Sequence, residues 1–302
     1  MRWITALQLE TWARSLASEV KLPEIVGDLI LATAAEITDI RFPSGDKGRV
    51  RGFDGNLFSK TAALNVPEGR SLWEFGTDQD YKAKAKEDFD KRTSQVSPEE
   101  QKNITLVLVT PWSWDSSRVK LEEWIQERKT TAAWKDLIVI DGVRLQAWLD
   151  YRPAVAARHA RATFGIGQNG GIRSTDEFWA DFTGQFSPPL TEDVLLCERE
   201  SFAQQVLDRF LKPPFVLSFV ADTADEVVAF AIAAIRKAPE EVRAHLELRT
   251  LVVDTREAGR MLPHDENTIL LLRGDATRSP TQFSQTFSTL VPLSRPVPRQ
   301  RP

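Results

Sequence analysis

Asp54, in "GFDG", and Glu74, in "SLWEFGT", are single carboxylates set inside aromatic, strand-like runs, and Lys82, Lys84 and Lys86 follow in the next polar segment. Burying a lone carboxylate is expensive unless it is paired or ligates a metal. On neighbouring strands the two acids would repel, and a divalent cation between them would remove that repulsion. Two hard oxygen ligands, completed by water and phosphate, suit Mg²⁺. Such an ion polarises a phosphodiester oxygen and acidifies a bound water. A lysine beside it stabilises the charge that develops at phosphorus. This chemistry needs no cysteine or histidine. The plain alternative is that "FDGN" is a turn, Glu74 a solvent-facing strand residue and the lysines a solvated helix face.

Composition narrows the choice. The chain has 302 residues, enough for one large domain or two ordinary ones, and 42% hydrophobic content provides a core. A formal charge of -4 advertises no global field for nucleic acid, although a local basic groove is compatible with it. The single cysteine, Cys197, excludes an intrachain disulfide and a zinc cluster, and fits a reducing, cytoplasmic setting. The N-terminus lacks the apolar region of a signal peptide, and no apolar run is long enough for a membrane helix.

The elements that would position these residues can be read from periodicity. Helices are predicted in "ITALQLETWARSLA" and in "LPEIVGDLILATAAEI", with Pro23 in the first turn of the latter. "RVRGFDGNLFS" and "SLWEFGT" read as strands, and "DYKAKAKEDFDKRTSQ" as a helix. "NITLVLVTPW" is apolar throughout, as in a strand covered on both faces. "SRVKLEEWIQERKTTAAW" reads as a helix, "KDLIVID" as a strand and "GVRLQAWLDYRPAVAARHA" as one helix. The expected fold is an α/β sandwich with a mixed central sheet over residues 1–165. All nine tryptophans lie in the first 179 residues, and "GIGQNGGIRST" is rich in Gly, Asn and Ser, so a linker is placed at 166–175. Residues 176–290 alternate helix and strand, which implies a second, smaller α/β domain with a parallel sheet. The Pro- and Arg-rich stretch 291–302 reads as a disordered tail.

"GFDG", "VPEGRSLWEFGTDQDYKAKAKEDFDKRT", "LVLVTPWSWD" and "AAWKDLIVIDGVRLQAWL" together resemble a branch of the PD-(D/E)XK, or restriction-endonuclease-like, nucleases. It is the branch found at the N-terminus of large bacterial anti-phage defence proteins, and the resemblance covers about residues 22–165. It implies a Mg²⁺-dependent endonuclease acting on DNA, double-stranded rather than single-stranded, as a defence effector, with a homo-oligomer or a defence-complex partner and no membrane. RNA is a third-ranked substrate. It assigns Asp54 and Glu74 as the metal ligands and catalytic acids. The usual lysine position, two residues after the second acid, holds Gly76, so the resemblance moves the catalytic lysine to the next helix, at Lys84, with Lys82 and Lys86 as neighbours. Glu24 or Asp28 would complete the acid set. Gly76 also motivates the rival reading, a catalytically inactive adaptor of the same fold that binds DNA or a partner protein.

Lys86, Lys91 and Arg92 are candidates for tracking a phosphate backbone. Trp112 and Trp114 could stack on bases, but read as cover for the sheet. Trp124, Trp134 and Trp148 read as packing. His159, His245 and His264 form no catalytic pattern, and Cys197 reads as a half-buried small residue. In the second domain, "PFVLSFVADTADEVVAF" has the strand–loop–helix order of a phosphate-binding loop, without its glycines and lysine and with Asp222, Asp225 and Glu226 instead. It resembles a degenerate P-loop module of the sensor NTPases that follow such nucleases. Asp254, at the end of "TLVVDT", is a weak acid candidate, and an interaction role is the default.

Overall fold

The computed structural model describes residues 2–42, 53–114, 118–167 and 170–294. The chain divides into two compact units, Arg2–Arg152 and Pro153–Pro302. In the first, chain order is α1 (Ala6–Ala13), α2 (Ala17–Thr33), β1 (Ile37–Arg41), β2 (Gly55–Ser59), β3 (Gly69–Phe75), α3 (Tyr81–Gln95), α4 (Pro98–Gln101), β4 (Ile104–Val109), α5 (Arg118–Thr131), β5 (Asp136–Ile140) and α6 (Gly142–Tyr151). The five strands lie in sequence order. β2 runs antiparallel to β1 and β3, and β3, β4 and β5 run parallel. The sheet is therefore mixed, as expected. β4 is paired on both sides and all six of its residues are buried, which is why its sequence is apolar without alternation.

Local chemistry sets the boundaries near the cleft. Asp80 caps α3 by accepting from the Ala83 N–H at 3.2 Å, and Asp141 caps α6 by accepting from Arg144 N–H at 2.9 Å. Pro23 lies inside α2 rather than in its first turn, because the helix starts at Ala17. The apolar face Leu22, Ile25, Val26, Leu29 and Ile30 is fully buried, and that packing offsets the lost backbone bond. Residues 49–52 of the expected strand around Asp54 lie outside the described residues.

The second unit contains α7 (Pro153–Ala162), β6 (Ile172–Ser174), α8 (Thr175–Thr183), α9 (Glu192–Leu196), α10 (Glu200–Phe210), β7 (Val216–Ala221), α11 (Ala224–Lys237), α12 (Glu240–Glu247), β8 (Thr250–Val253), α13 (Arg256–Arg260), β9 (Ile269–Leu272), α14 (Pro280–Ser284) and β10 (Ser288–Ser294). Its sheet has the order β6-β8-β9-β10-β7. Three pairings are parallel, but β6 runs antiparallel to β8, so the sheet is mixed rather than parallel. Nor is the unit smaller than the first. The division falls between Arg152 and Pro153, ahead of the expected linker at 166–175: the residue before a proline is steered out of the helical region, so one expected helix becomes α6 and α7. Within the expected linker, 172–174 form β6. Residues 291–294, expected in a disordered tail, belong to β10, and 295–302 lie outside the described residues. Among the described residues no helix is long and apolar enough to cross a membrane.

Candidate active site

The register of β2 and β3 pairs Gly55 with Trp73. Asp54 stands immediately before β2, next to that last pair, and its field acts on Glu74. The two expected acids are therefore close enough to repel each other. Asp54 is fixed there by accepting from the Phe75 N–H at 3.1 Å. Neighbouring like charges are destabilising, so the pair requires compensation.

Helix α3 supplies it. Lys84, Asp88 and Arg92 recur every fourth residue and form one stripe toward the acids. Arg92 grips both Glu74 oxygens, Nε to Oε1 at 2.5 Å and Nη2 to Oε2 at 2.9 Å. The pair is nearly sealed, with Glu74 2% and Arg92 3% exposed. Arg92 also donates to Gln95 at 2.7 Å and lies 4.6 Å over the Phe53 ring. Lys84 Nζ donates to Asp88 Oδ1 at 2.7 Å.

Gly76 explains how Lys84 reaches the site. A Cβ at Gly76 would stand 3.0 Å from Lys84 Cγ. The stem of Lys84 therefore crosses the backbone where the usual strand lysine would begin, and a side chain at 76 would push against it. The lysine expected from the helix lines one cleft with Glu74, Gly76, Asp88 and Thr110; Asp54 is not part of that lining. Lys86, by contrast, pairs with Asp90 at 3.7 Å on an exposed surface.

Burial dominates the electrostatics of the cleft. Burial pushes the Glu74 carboxyl up from 4.5 to about 7; the Arg92 hydrogen bonds pull it down, and Asp54 pushes it up again. Asp88 is also raised, by burial first, against the pull of Lys84. Burial lowers Lys84, but the hydrogen bond and field of Asp88 outweigh it, so its pKa ends raised. Lys84 is thus held as a cation and is unsuited to act as a base near neutrality.

The carboxylates of Asp54 and Glu74 are hard oxygen donors of the kind Mg²⁺ takes. Among the described residues no three His, Cys, Asp or Glu side chains converge at metal-binding distance. A cation would therefore rest on Asp54 and Glu74 and complete its shell with water and phosphate, as Mg²⁺ commonly does. The accessible space in the cleft is ≈ 10 Å³, room for about one water. The Arg92 fork must yield part of Glu74 before an ion and a phosphodiester can enter.

The remaining expected residues lie elsewhere in role. Glu24 pairs with Lys21 at 2.7 Å, and the main charges acting on Glu74 are Arg92, Asp54 and Asp88 rather than Glu24 or Asp28. Arg92 is not on an exposed phosphate-tracking face; it is the buried partner of Glu74. Asp88 and Arg92 were legible only as the four-residue spacing beside Ala85 and Phe89, which are the apolar anchors of α3. Trp112 and Trp114 are buried. Trp114 packs on Tyr81 at 5.6 Å and Trp124 at 5.0 Å, as cover for the sheet. Trp134 and Trp148 are buried in the same unit. Cys197 is exposed rather than half-buried, in the break between α9 and α10 where Glu198 adopts φ 60.

In the second unit, only Asp222 and Thr223 separate β7 from α11. Thr223 caps the helix itself, accepting from the Glu226 N–H at 3.1 Å. Arg273 takes both oxygens of Asp225, at 2.5 and 3.1 Å, and reaches Asp254 at 3.0 Å. Acids therefore occupy the helix start where a phosphate cradle needs free N–H groups. No known protein family, curated protein or solved structure matches this chain.

Proposed function

We propose that residues 2–152 form a Mg²⁺-dependent nuclease unit that hydrolyses phosphodiesters in double-stranded DNA, as an effector of anti-phage defence. One observation carries the reading. Lys84 crosses Gly76 and lines one cleft with Glu74, while Asp54 acts on Glu74 and Asp88, so the following helix brings an ammonium to the cleft of the second acid, where the strand itself has Gly76. The mixed sheet of the first unit agrees with the restriction-endonuclease-like fold.

Asp54 and Glu74 would hold the ion, which when bound supplies a Lewis acid and an acidified water. The protein's own contributions are orientation and charge. The Phe75 N–H holds the Asp54 carboxylate, and Arg92 holds that of Glu74. Asp88 keeps Lys84 protonated, so that its ammonium can stabilise negative charge developing on the phosphate oxygens. Trp114, Tyr81 and Leu108 line the apolar side of the cleft, where low polarity strengthens those interactions.

The test is degradation of supercoiled plasmid with and without Mg²⁺ by the wild type, Glu74→Gln and Lys84→Met. Each substitution is expected to lower the rate by about 100-fold or more while leaving a cooperative thermal transition. Undiminished cleavage by a folded Glu74→Gln protein refutes the assignment. The adaptor reading is favoured by the Arg92 fork on Glu74 and by the ≈ 10 Å³ cleft. It predicts duplex DNA or protein binding that is indifferent to Mg²⁺ and to both substitutions.

A further inference from the structure

β7 (Val216–Ala221) ends the second sheet and pairs on one side with β10. Among the described residues no strand lies on its other side. Its six residues contain no charge and no proline, and their register with β10 runs without a bulge. Val216, Val220 and Leu293, which neighbours Val220 on β10, are 54%, 57% and 46% exposed. Such an edge is a template for a further strand, and proteins normally blunt it with the features β7 lacks.

The ladder with β10 shows which groups the edge offers. Thr289, in register with Val216, donates its N–H to the Phe215 carbonyl at 2.9 Å. In a parallel ladder a residue bonds the two that flank its partner, so Phe215, Leu217, Phe219 and Ala221 turn to β10. Val216, Ser218 and Val220 therefore turn their N–H and C=O groups outward. These three positions are symmetric about Ser218. A second β7 laid antiparallel with Ser218 on Ser218 sets Val216 against Val220 and uses every outward group of both strands. A slip toward the start of the strand brings in Pro214, which has no N–H. The same alignment puts Leu217 opposite Phe219, in the wall of a ≈ 490 Å³ cavity that Phe202 and Phe230 also line. Charge favours this direction. Arg209 and Lys212 precede the strand and Asp222 follows it, all exposed. Antiparallel pairing brings Asp222 opposite Pro214 of the second copy, two residues from its Lys212. Parallel pairing would set like ends side by side.

We infer that β7 joins two copies of this chain, antiparallel about Ser218, into one continuous sheet. The contact is self-complementary, as a two-fold dimer requires, and it stands independently of the nuclease reading.

The experiment is analytical ultracentrifugation of the full chain up to about 100 μM, with amide hydrogen exchange read at low and high concentration. The wild type is expected to reach twice the chain mass, and exchange at Val216, Ser218 and Val220 should slow as it does. Ser218→Pro removes an N–H that faces away from β10, a position where an edge strand tolerates proline. It should raise the dimer dissociation constant about 100-fold or more, because each lost contact occurs twice about the axis. Lys212→Glu should weaken the dimer about 10-fold, and adding Asp222→Lys should restore it. Should Ser218→Pro fail to fold, Ser218→Lys sets two ammonium groups face to face on the axis and should give the same loss. A wild type that stays monomeric throughout overturns the inference and leaves the edge to a strand of another protein. A dimer indifferent to the folded Ser218 variants overturns the assignment to β7, and one indifferent to Lys212→Glu overturns the antiparallel alignment.

Discussion

Each unit carries a cluster of arginine and carboxylate groups, and the two are built to opposite ends. In the first, Glu74, Asp88 and Arg92 are almost completely buried and the carboxylates outnumber the cations. In the second, Arg273 bridges Asp225 and Asp254, while Arg173 reaches Asp254 at 3.2 Å and Asp181 at 3.5 Å. Both guanidinium groups lie over Phe178, at 5.6 and 5.1 Å. That network is partly open: the side chains of Arg273, Asp225 and Asp254 are 28%, 39% and 25% exposed. Its two arginines meet three aspartates, and Asp181 also lies 4.0 Å from Arg161. A wetted network is screened by solvent and holds elements together. A dry one raises carboxylate pKa values, and such perturbation is a mark of functional sites.

The contrast should appear first in stability. Glu74→Ala strands Arg92 in a sealed site and should cost about 3–5 kcal/mol, read from urea unfolding. A loss no larger than that of a surface substitution would place Glu74 nearer solvent than it stands here. The next effect is in pH. Because folding raises Glu74 from 4.5 to about 7, its favourable contribution is complete below 4.5 and is lost as pH rises through 7. The wild type should lose on the order of 3 kcal/mol across that window, and Glu74→Gln should not show that step. A flat profile in the wild type would mean that Arg92 holds the carboxylate ionised throughout.

The wetted network should respond less. Asp254→Asn leaves Arg273 with its fork on Asp225, and a cost of about 1–2 kcal/mol is expected by thermal denaturation. A cost equal to that of Glu74→Ala would erase the distinction between the two clusters. Gly76→Ala brings a Cβ within 3.0 Å of Lys84 Cγ. It should lower stability by about 0.5–1 kcal/mol and, on the proposed nuclease reading, reduce plasmid cleavage more than that figure implies, since it shifts the ammonium. Lys86→Ala, at an exposed pair, should stay within about 0.5 kcal/mol of the wild type in the same denaturation assay.

Much of this was legible before any coordinates. The apolar run of β4 announced a strand covered on both faces, and the aromatic flanks of Asp54 and Glu74 marked carboxylates in sheet positions. Short strands escaped notice. β1 and β6 hold five and three residues with polar members, too few for a period to emerge. β10 was hidden by Pro292, which normally argues against a paired strand. Pro292 is tolerated because β10 pairs with β9 only over Ser288–Leu290 and meets β7 alone beyond that. Arg92 was misread because a strongly polar helix resembles a solvated one, and only its docked face reveals which charges turn inward.

The sequence by itself determined the kinds of group available: two carboxylates in strand contexts, lysines on the following helix, a glycine where a lysine would otherwise stand, and an acidic helix start in the second unit. These follow from residue identity and short-range spacing. Tertiary structure decided the partnerships, namely that Asp54 stands near enough to act on Glu74, that Arg92 rather than Lys84 takes the Glu74 oxygens, and that Lys84 passes over Gly76. Such pairings depend on strand register and on how α3 docks against the sheet. Both are set by packing between segments distant in sequence, and a shift of one strand residue or a quarter-turn of the helix would rewrite them all.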